Sequence, residues 1–280
     1  MKKAVALFEL MRLDKPIGIY LLLWPALLAL VISTGGNFKI SDFFIVFIGA
    51  ILVRSAGCVI NDIWDKDLDG GVERTKLRPI PSKKVSIYES WALFIILGIL
   101  SLILLSLTNT NTILISICFA FMIIVYPLTK RFFIGPQIFL GLTFNPTIIV
   151  YAMTNELNNS TMILLYLAIA AMTIAFDTLY GLSDKDDDKK LGINSTPLWW
   201  GSNTLKIVAI FQFLAICLLL MVGWQAELKF IWFLGTIFLC GFYFYQHHLA
   251  NQKKYLIAFK NNHFASLYLL MLSVFCFLII

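Results

Sequence analysis

Nine nearly uninterrupted apolar stretches, each at least sixteen residues long, constrain this chain more than any other feature. They cover residues 17–34, 43–60, 91–107, 112–127, 136–153, 161–180, 206–223, 229–247 and 264–280. Wound as helices, each is about long enough to cross the ~30 Å hydrocarbon core of a bilayer. A soluble core could not absorb this much apolar surface: 60% of the 280 residues are hydrophobic, 14% are charged and the mean hydropathy is +0.85. The expected architecture is therefore all-α, a single integral membrane domain over 1–280. It is a polytopic bundle of about nine transmembrane helices with acidic loops on the cytoplasmic side.

The first stretch follows a basic start (Lys2, Lys3, Arg12, Lys15) in the manner of a signal peptide. It is long, carries Trp24 and Pro25 and lacks a small-residue cleavage site, so it reads as a retained helix. The five cysteines (Cys58, Cys118, Cys217, Cys240, Cys276) all fall inside apolar stretches without paired spacing, which indicates neither a disulfide framework nor a zinc site.

Lys and Arg accumulate in cytoplasmic loops, and 19 of the 22 basic residues fall on one side if the N-terminus is placed inside. Nine crossings then put Ile280 on the opposite face. The net charge of +6 is an orientation signal. No loop interleaves basic and aromatic residues as a base-stacking surface would, so nucleic acid is not an expected partner.

Loops on the outer face are short, whereas two cytoplasmic loops are long and acidic. The first carries Asn61, Asp62, Asp65, Asp67 and Asp69, and the second carries Asp184, Asp186, Asp187 and Asp188 after Asp177. If the helices continue past the membrane edge, Asn61, Asp62, Asp65 and Asp69 share one stripe, as do Asp177, Asp184 and Asp188. Asn61 with Asp65, and Asp184 with Asp188, are oxygen pairs at i, i+4. Like charges so placed repel unless a cation lies between them. Ligands without histidine or thiolate point to Mg²⁺, Mn²⁺ or Ca²⁺, and few carboxylates per ion, completed by water and substrate phosphates, is the habit of Mg²⁺. The EF-hand pattern is absent. Ordinary solvated acidic loops are the bland reading, weakened here because two such runs end apolar stretches on one face.

Basic residues accompany the acids: Arg74 and Arg78, Lys130 and Arg131, Lys189 and Lys190. Positive-inside bias accounts for most of them. Arg54 differs, since an arginine about two turns inside an apolar stretch is costly to bury and pairs with an anion or lines a cavity. A cation transporter would place its acids near mid-membrane, yet only Asp177 lies inside a stretch. The acidic signature of lipid phosphotransferases of the CDP-alcohol type is absent.

These residues resemble the UbiA superfamily of intramembrane prenyltransferases, in particular its 4-hydroxybenzoate polyprenyltransferase branch. Asn61, Asp62, Asp65 and Asp69 match the family's NDxxDxxxD motif, and Asp184 with Asp188 matches its DxxxD motif. Branch-level similarity extends through Arg12-Leu-Asp-Lys-Pro, Leu23-Trp-Pro-Ala, Arg54 before Ala-Gly-Cys, Arg78-Pro-Ile-Pro, Tyr126-Pro-Leu-Thr-Lys-Arg131, Pro136-Gln and Gly192-Ile-Asn-Ser-Thr. Gly181-Leu-Ser departs from the branch, which more often has an apolar run such as Ala-Met-Val there.

The resemblance implies Mg²⁺-dependent transfer of a polyprenyl group from its diphosphate to the carbon of 4-hydroxybenzoate ortho to the hydroxyl, at the cytoplasmic edge of a bacterial inner membrane. A relative acting on a naphthoate or a haem is the nearest alternative. It implies metal ligation by Asn61, Asp62, Asp65 and Asp69 on one loop and by Asp184, Asp187 and Asp188 on the other. Arg54, Lys130, Arg131 and Lys190 are then expected on the departing phosphates, and Tyr126 against the allylic centre. Arg12 and Lys15 are expected on the acceptor carboxylate, with Arg131 as the alternative. Asp177 is expected to orient the phenol or take its proton, or else to serve as a structural acid.

Overall fold

The apolar stretches become helices that outrun them at the end of the bundle where the acidic loops lie. A computed structural model describes residues 2–70 and 75–278, and among these every regular element is helical. Arg74 and Ile280 lie outside the described residues. In chain order the helices are α1 (Lys2–Leu10), α2 (Ile17–Ser33), α3 (Ile40–Trp64), α4 (Lys66–Asp69), α5 (Ile87–Leu105), α6 (Thr110–Thr129) and α7 (Pro136–Thr143). They continue with α8 (Thr147–Met153), α9 (Thr161–Leu191), α10 (Thr196–Trp200), α11 (Thr204–Gln225), α12 (Phe230–Asn251) and α13 (Tyr255–Leu278).

Each of the nine expected stretches falls on a helix or, once, on a broken pair. Among the described residues, six segments are long and apolar enough to cross a membrane: α3, α5, α6, α9, α13 and Thr196–Gln225. Apolar side chains point outward as well as inward. α5 buries just Ser90 and Leu97, while Ile95, Ile96, Ile99, Leu102 and Ile103 are exposed. That distribution suits a lipid solvent and would fail in water, which identifies an integral membrane protein.

The main core joins α2, α8, α9, α11, α12 and α13 through Leu28, Leu30, Tyr151, Leu165, Leu219, Trp232 and Leu269. A polar chain crosses the last three helices inside this apolar surrounding. His247 Nε2 lies 2.9 Å from Gln212 Oε1, Gln212 donates to Gln246 at 2.9 Å, and Gln246 donates to Asn261 at 3.0 Å. Such interhelical bonds hold membrane helices together where no hydrophobic force distinguishes helix from lipid.

Three departures from the expected spans have physical causes. The 136–153 stretch is broken between α7 and α8, because Pro146 has no N–H and pushes Asn145 out of helical geometry. The carbonyl freed by the missing N–H, Leu142 O, accepts from Tyr166 Oη at 2.9 Å, and Asn145 Nδ2 ties the break to α9 by donating to Tyr166 O at 2.8 Å. α9 runs on to Leu191, eleven residues past the apolar stretch, and stops at Gly192, whose φ of 66° is the left-handed cap that glycine adopts freely. α13 begins at Tyr255, nine residues before its apolar stretch, and thereby turns an expected loop into helix.

Candidate functional site

At the acidic end of the bundle, α3–α4, α6, α7, α9 and the segment after α9 enclose a cavity of about 180 Å³. Its walls carry Asn61, Asp65, Asp69, Arg78, Tyr126 and Lys130 on one side, and Asp177, Tyr180, Asp184, Asp187 and Asp188 on the other. The two acidic motifs, more than a hundred residues apart in sequence, thus face a common space.

On the first motif, α3 ends at Trp64, yet Asp65 N–H still bonds Asn61 O at 2.9 Å and Asp69 N–H bonds Asp65 O at 2.8 Å. This helical spacing keeps Asn61, Asp65 and Asp69 on one stripe. Asp65 is 3% exposed. Its Oδ2 accepts from Lys130 Nζ at 2.5 Å and from Asn61 Nδ2 at 3.3 Å. Its Oδ1 is buried with no hydrogen-bond partner. Burial pushes the Asp65 carboxyl above its usual range, against the lowering effect of the Lys130 charge.

Asp62, on the same expected stripe, behaves differently. It is 1% exposed and does not line the cavity. Arg12 Nη2 donates to both of its oxygens at 2.9 and 2.8 Å, and Arg78 Nη1 donates to Oδ1 at 3.1 Å. Arg78 also holds Asp69 at 2.7 Å, so one guanidinium ties the clamp to the cavity wall. Burial works against the Arg78 charge, but Asp62 and Asp69 outweigh it and raise the pKa of the guanidinium. Arg12 is therefore engaged in pinning the segment before α2 to the end of α3.

The second motif is one face of α9. Residues 177, 180, 181, 184, 187, 188 and 191 line the cavity at steps of three and four, whereas the exposed Asp186 points to the opposite side with Lys185. Lys190 is exposed and reaches Asp187 at 3.4 Å.

Arg54 sits two turns deeper on α3 than Asn61 and does not line the cavity. Its guanidinium lies over the Phe144 ring, with Cζ 5.3 Å from the ring centre, and against Gly18 of α2, where a Cβ would overlap it. Its Nε is buried without a hydrogen-bond partner. Its charge acts on Asp177 and Tyr126, both of which do line the cavity. Arg131 is exposed and caps the end of α3 through Trp64 O at 2.7 Å, while Lys15 is exposed at the start of α2. Neither lines the cavity.

Sequence reasoning passed over the wall formed by Gln137, Asn194 and Ser195. The signal for Gln137 was its position directly after Pro136 at the start of α7, where the rigid first turn fixes the direction of the next side chain.

The donors fit a hard cation. Asn61 donates through its nitrogen and so keeps its amide oxygen available, and the orphaned Asp65 Oδ1 is an oxygen without a proton donor beside it. Among the described residues no three acidic, histidine or cysteine side chains form a metal-holding group alone.

A model of the UbiA prenyltransferase family matches residues 22–278. The chain is 37% identical over 263 residues to the 4-hydroxybenzoate octaprenyltransferase of Shewanella woodyi, covering 92% of each. It superposes on the apo structure of a UbiA homologue from Aeropyrum pernix K1 with a TM-score of 0.80 at 23% identity, covering 90% of this chain and 94% of that one. A UbiA homologue from Archaeoglobus fulgidus bound to GPP and Mg²⁺ matches with a TM-score of 0.71 at 19% identity, covering 94% and 99%.

Proposed function

The chain belongs to the UbiA prenyltransferase family, and on that premise we propose that it transfers a polyprenyl group from its diphosphate to the carbon of 4-hydroxybenzoate ortho to the hydroxyl. The observation that carries this reading is the facing of Asp65, with its unpartnered oxygen and its lysine, toward the acidic face of α9 across one cavity. Asn61, Asp65 and Asp69 on one side, and Asp184, Asp187 and Asp188 on the other, would hold Mg²⁺. When bound, the ions supply Lewis acidity to the departing diphosphate.

The chain's own groups divide the remaining work. Lys130, shared between Asp65 and the cavity, donates a charged hydrogen bond to a phosphate oxygen as charge grows there. Tyr126 offers its ring face to the allylic carbon as that carbon becomes cationic. Asp177 accepts from the phenol hydroxyl. The acceptor's carboxylate needs a cation, and the geometry favours Arg54 over Arg12 and Lys15. Arg12 is held by Asp62 and Lys15 is exposed, whereas Arg54 is a half-buried guanidinium whose charge acts on Asp177 of the cavity wall and whose buried Nε–H has no partner. Asp62 acts as scaffold, clamped by Arg12 and Arg78. The same reading places the acidic end of the bundle on the cytoplasmic side of a bacterial inner membrane, in accord with the basic residues gathered there.

The test is direct. Membranes containing the chain are incubated with labelled 4-hydroxybenzoate, a polyprenyl diphosphate and Mg²⁺, and the prenylated acid is extracted. Product formation that requires all three supports the reading. No product at several chain lengths, beside an active control, overturns it.

A further inference from the structure

The wall opposite the first acidic motif carries two polar groups that the reaction as described above does not use. Gln137, at the start of α7, is 7% exposed and lines the cavity, and Ser195, before α10, is 2% exposed and lines it as well. Gln137 Oε1 accepts the Thr196 backbone N–H at 2.8 Å. Because a backbone N–H can bond only to an acceptor, this contact fixes the amide: oxygen toward the loop, NH₂ away from it. The NH₂ lies against the backbone of α9 at Gly181, where an added Cβ would stand 3.2 Å from Nε2. Ser195 Oγ is buried with no hydrogen-bond partner. A buried hydroxyl left in that state costs about 1–3 kcal/mol, a cost that a bound partner would relieve.

Position along α9 identifies the partner. Gly181 lies three residues from Asp184, toward the membrane interior, and four residues from Asp177, toward the mouth. The pair thus stands between the face proposed to hold metal and the deeper Asp177. Two substrate oxygens can reach that level: the phenol oxygen and the diphosphate oxygen on the scissile C–O bond. Substitution at the ortho carbon forms a C–C bond and expels that carbon's ring proton, and the phenol oxygen that feeds electrons into the ring does so best while its own proton is held by an acceptor, the role given to Asp177. The Gln137 NH₂ can only donate, since its oxygen is engaged.

We propose that Gln137 and Ser195 form a neutral donor pair for the diphosphate oxygen at the scissile bond. As the allylic C–O bond breaks, its electron pair passes to that oxygen, and the two donors meet the charge where it appears. The metals and Lys130 act from the mouth, while this pair acts from the wall facing the reacting carbon. The inference rests on the prenyl-transfer reading for its donor substrate, but not on the identity of the acceptor.

Three substitutions test it. Gln137→Glu keeps an oxygen for Thr196 N–H and replaces the donor with a second oxygen, Gln137→Met removes both interactions at similar size, and Ser195→Ala removes the hydroxyl. Each is measured for kcat, for the KM of both substrates and for Mg²⁺-dependent binding of inorganic pyrophosphate by calorimetry, with thermal unfolding to confirm folding. Gln137→Glu is expected to lower kcat by on the order of 10²-fold, the scale of one lost oxyanion donor. Ser195→Ala should lower it about tenfold. Pyrophosphate binding should weaken in both, while the KM for 4-hydroxybenzoate stays within about twofold. Wild-type kcat in a folded Gln137→Glu would show that the amide merely ties the loop, and a change confined to the KM of the aromatic acid would move the pair to the acceptor. Either result overturns the proposal. The pyrophosphate titration needs no acceptor, so it judges the pair even if 4-hydroxybenzoate is the wrong substrate. Absence of turnover by the wild type would instead count against the functional reading.

Discussion

Two aspartates three residues apart in one motif should respond in opposite ways to the same substitution. In Asp62→Asn the carboxylate that holds two guanidinia through contacts of 2.8–3.1 Å becomes a neutral amide whose nitrogen cannot accept. Breaking a buried ion pair by neutralising one partner costs ~3–5 kcal/mol. The lower end applies here, because Arg78 keeps Asp69 and Arg12 is partly reached by solvent. About 3 kcal/mol of stability should be lost, and turnover should fall less than about tenfold at temperatures where the protein stays folded. Asp65→Asn removes a carboxylate whose burial already opposes its charge and one of whose oxygens has no partner. Its stability cost should be the smaller of the two. Its kcat/KM should fall on the order of 10²-fold or more, because a metal ligand on the leaving group is lost. Thermal unfolding of detergent-purified protein and prenyl transfer at low temperature measure the two quantities. If Asp62→Asn kept the wild-type unfolding temperature and lost as much activity as Asp65→Asn, the division into clamp and ligand would be refuted.

Other outcomes follow from the same geometry. Arg54→Ala should raise the KM for 4-hydroxybenzoate at least tenfold, on the scale of a charge-assisted hydrogen bond, with the KM for the diphosphate nearly unchanged; the reverse split in steady-state kinetics would return Arg54 to the phosphates. Asp184→Asn should cost on the order of 10²-fold in kcat/KM, and chelation should abolish wild-type activity until Mg²⁺ is restored. Activity that persists in excess chelator would remove the metals from the mechanism. Gly181→Ala gains about 0.5–1 kcal/mol of helix propensity but sets a Cβ 3.2 Å from both Gln137 Nε2 and Pro197 Cγ. With the propensity gain set against the crowding, the unfolding temperature should change little, while kcat falls a few-fold; an unchanged kcat would show that the amide position does not matter to the reaction.

Hydropathy made the architecture legible because lipid enforces one backbone solution, but the run of α9 through its acidic residues was only conditional in the sequence, since carboxylates at i, i+4 oppose a helix unless a cation lies between them. The break at Pro146 was equally present in the sequence, but an apolar window averages over a single proline. Site residues were harder. Asn61, Asp62, Asp65 and Asp69 fall near one stripe of an ideal helix, and spacing alone cannot say that Asp62 lies on its far edge, turned toward Arg12. That outcome depends on a residue fifty positions away whose backbone adopts φ 58°. Arg54 announced itself by its cost, since a buried arginine needs a reason, though its neighbours Gly18 and Phe144 come from other helices. Gln137 and Ser195 fall in Pro136-Gln and Gly192-Ile-Asn-Ser-Thr, which carried the family resemblance, but a neutral amide and a hydroxyl offer no chemistry by which the sequence alone would pick them out from caps.

Depth along α9 orders the chemistry. Asp184 and Asp177 are seven residues apart, a rise of roughly 10 Å. The carboxylates proposed to hold metal stand at the mouth, Gly181 with the Gln137 amide lies about midway, and Asp177 lies deepest, within reach of the Arg54 charge. A diphosphate entering from the acidic end must place its scissile bond at the middle level, and an aromatic acid anchored by its carboxylate to Arg54 must turn its hydroxyl-bearing edge upward to meet it. The allylic cation would be captured by any water at this level. Apolar packing below and the diphosphate itself above exclude it, so the long isoprenoid tail has one way out, sideways between helices into lipid. The same geometry requires the aromatic acid to settle before the diphosphate closes the mouth. Order of binding is thus written into the depth of Arg54: because pyrophosphate bound first closes the mouth, it should compete in initial-rate kinetics with 4-hydroxybenzoate as well as with the prenyl diphosphate, and a KM for the aromatic acid that pyrophosphate leaves unchanged would mean that the two substrates do not stack along this axis.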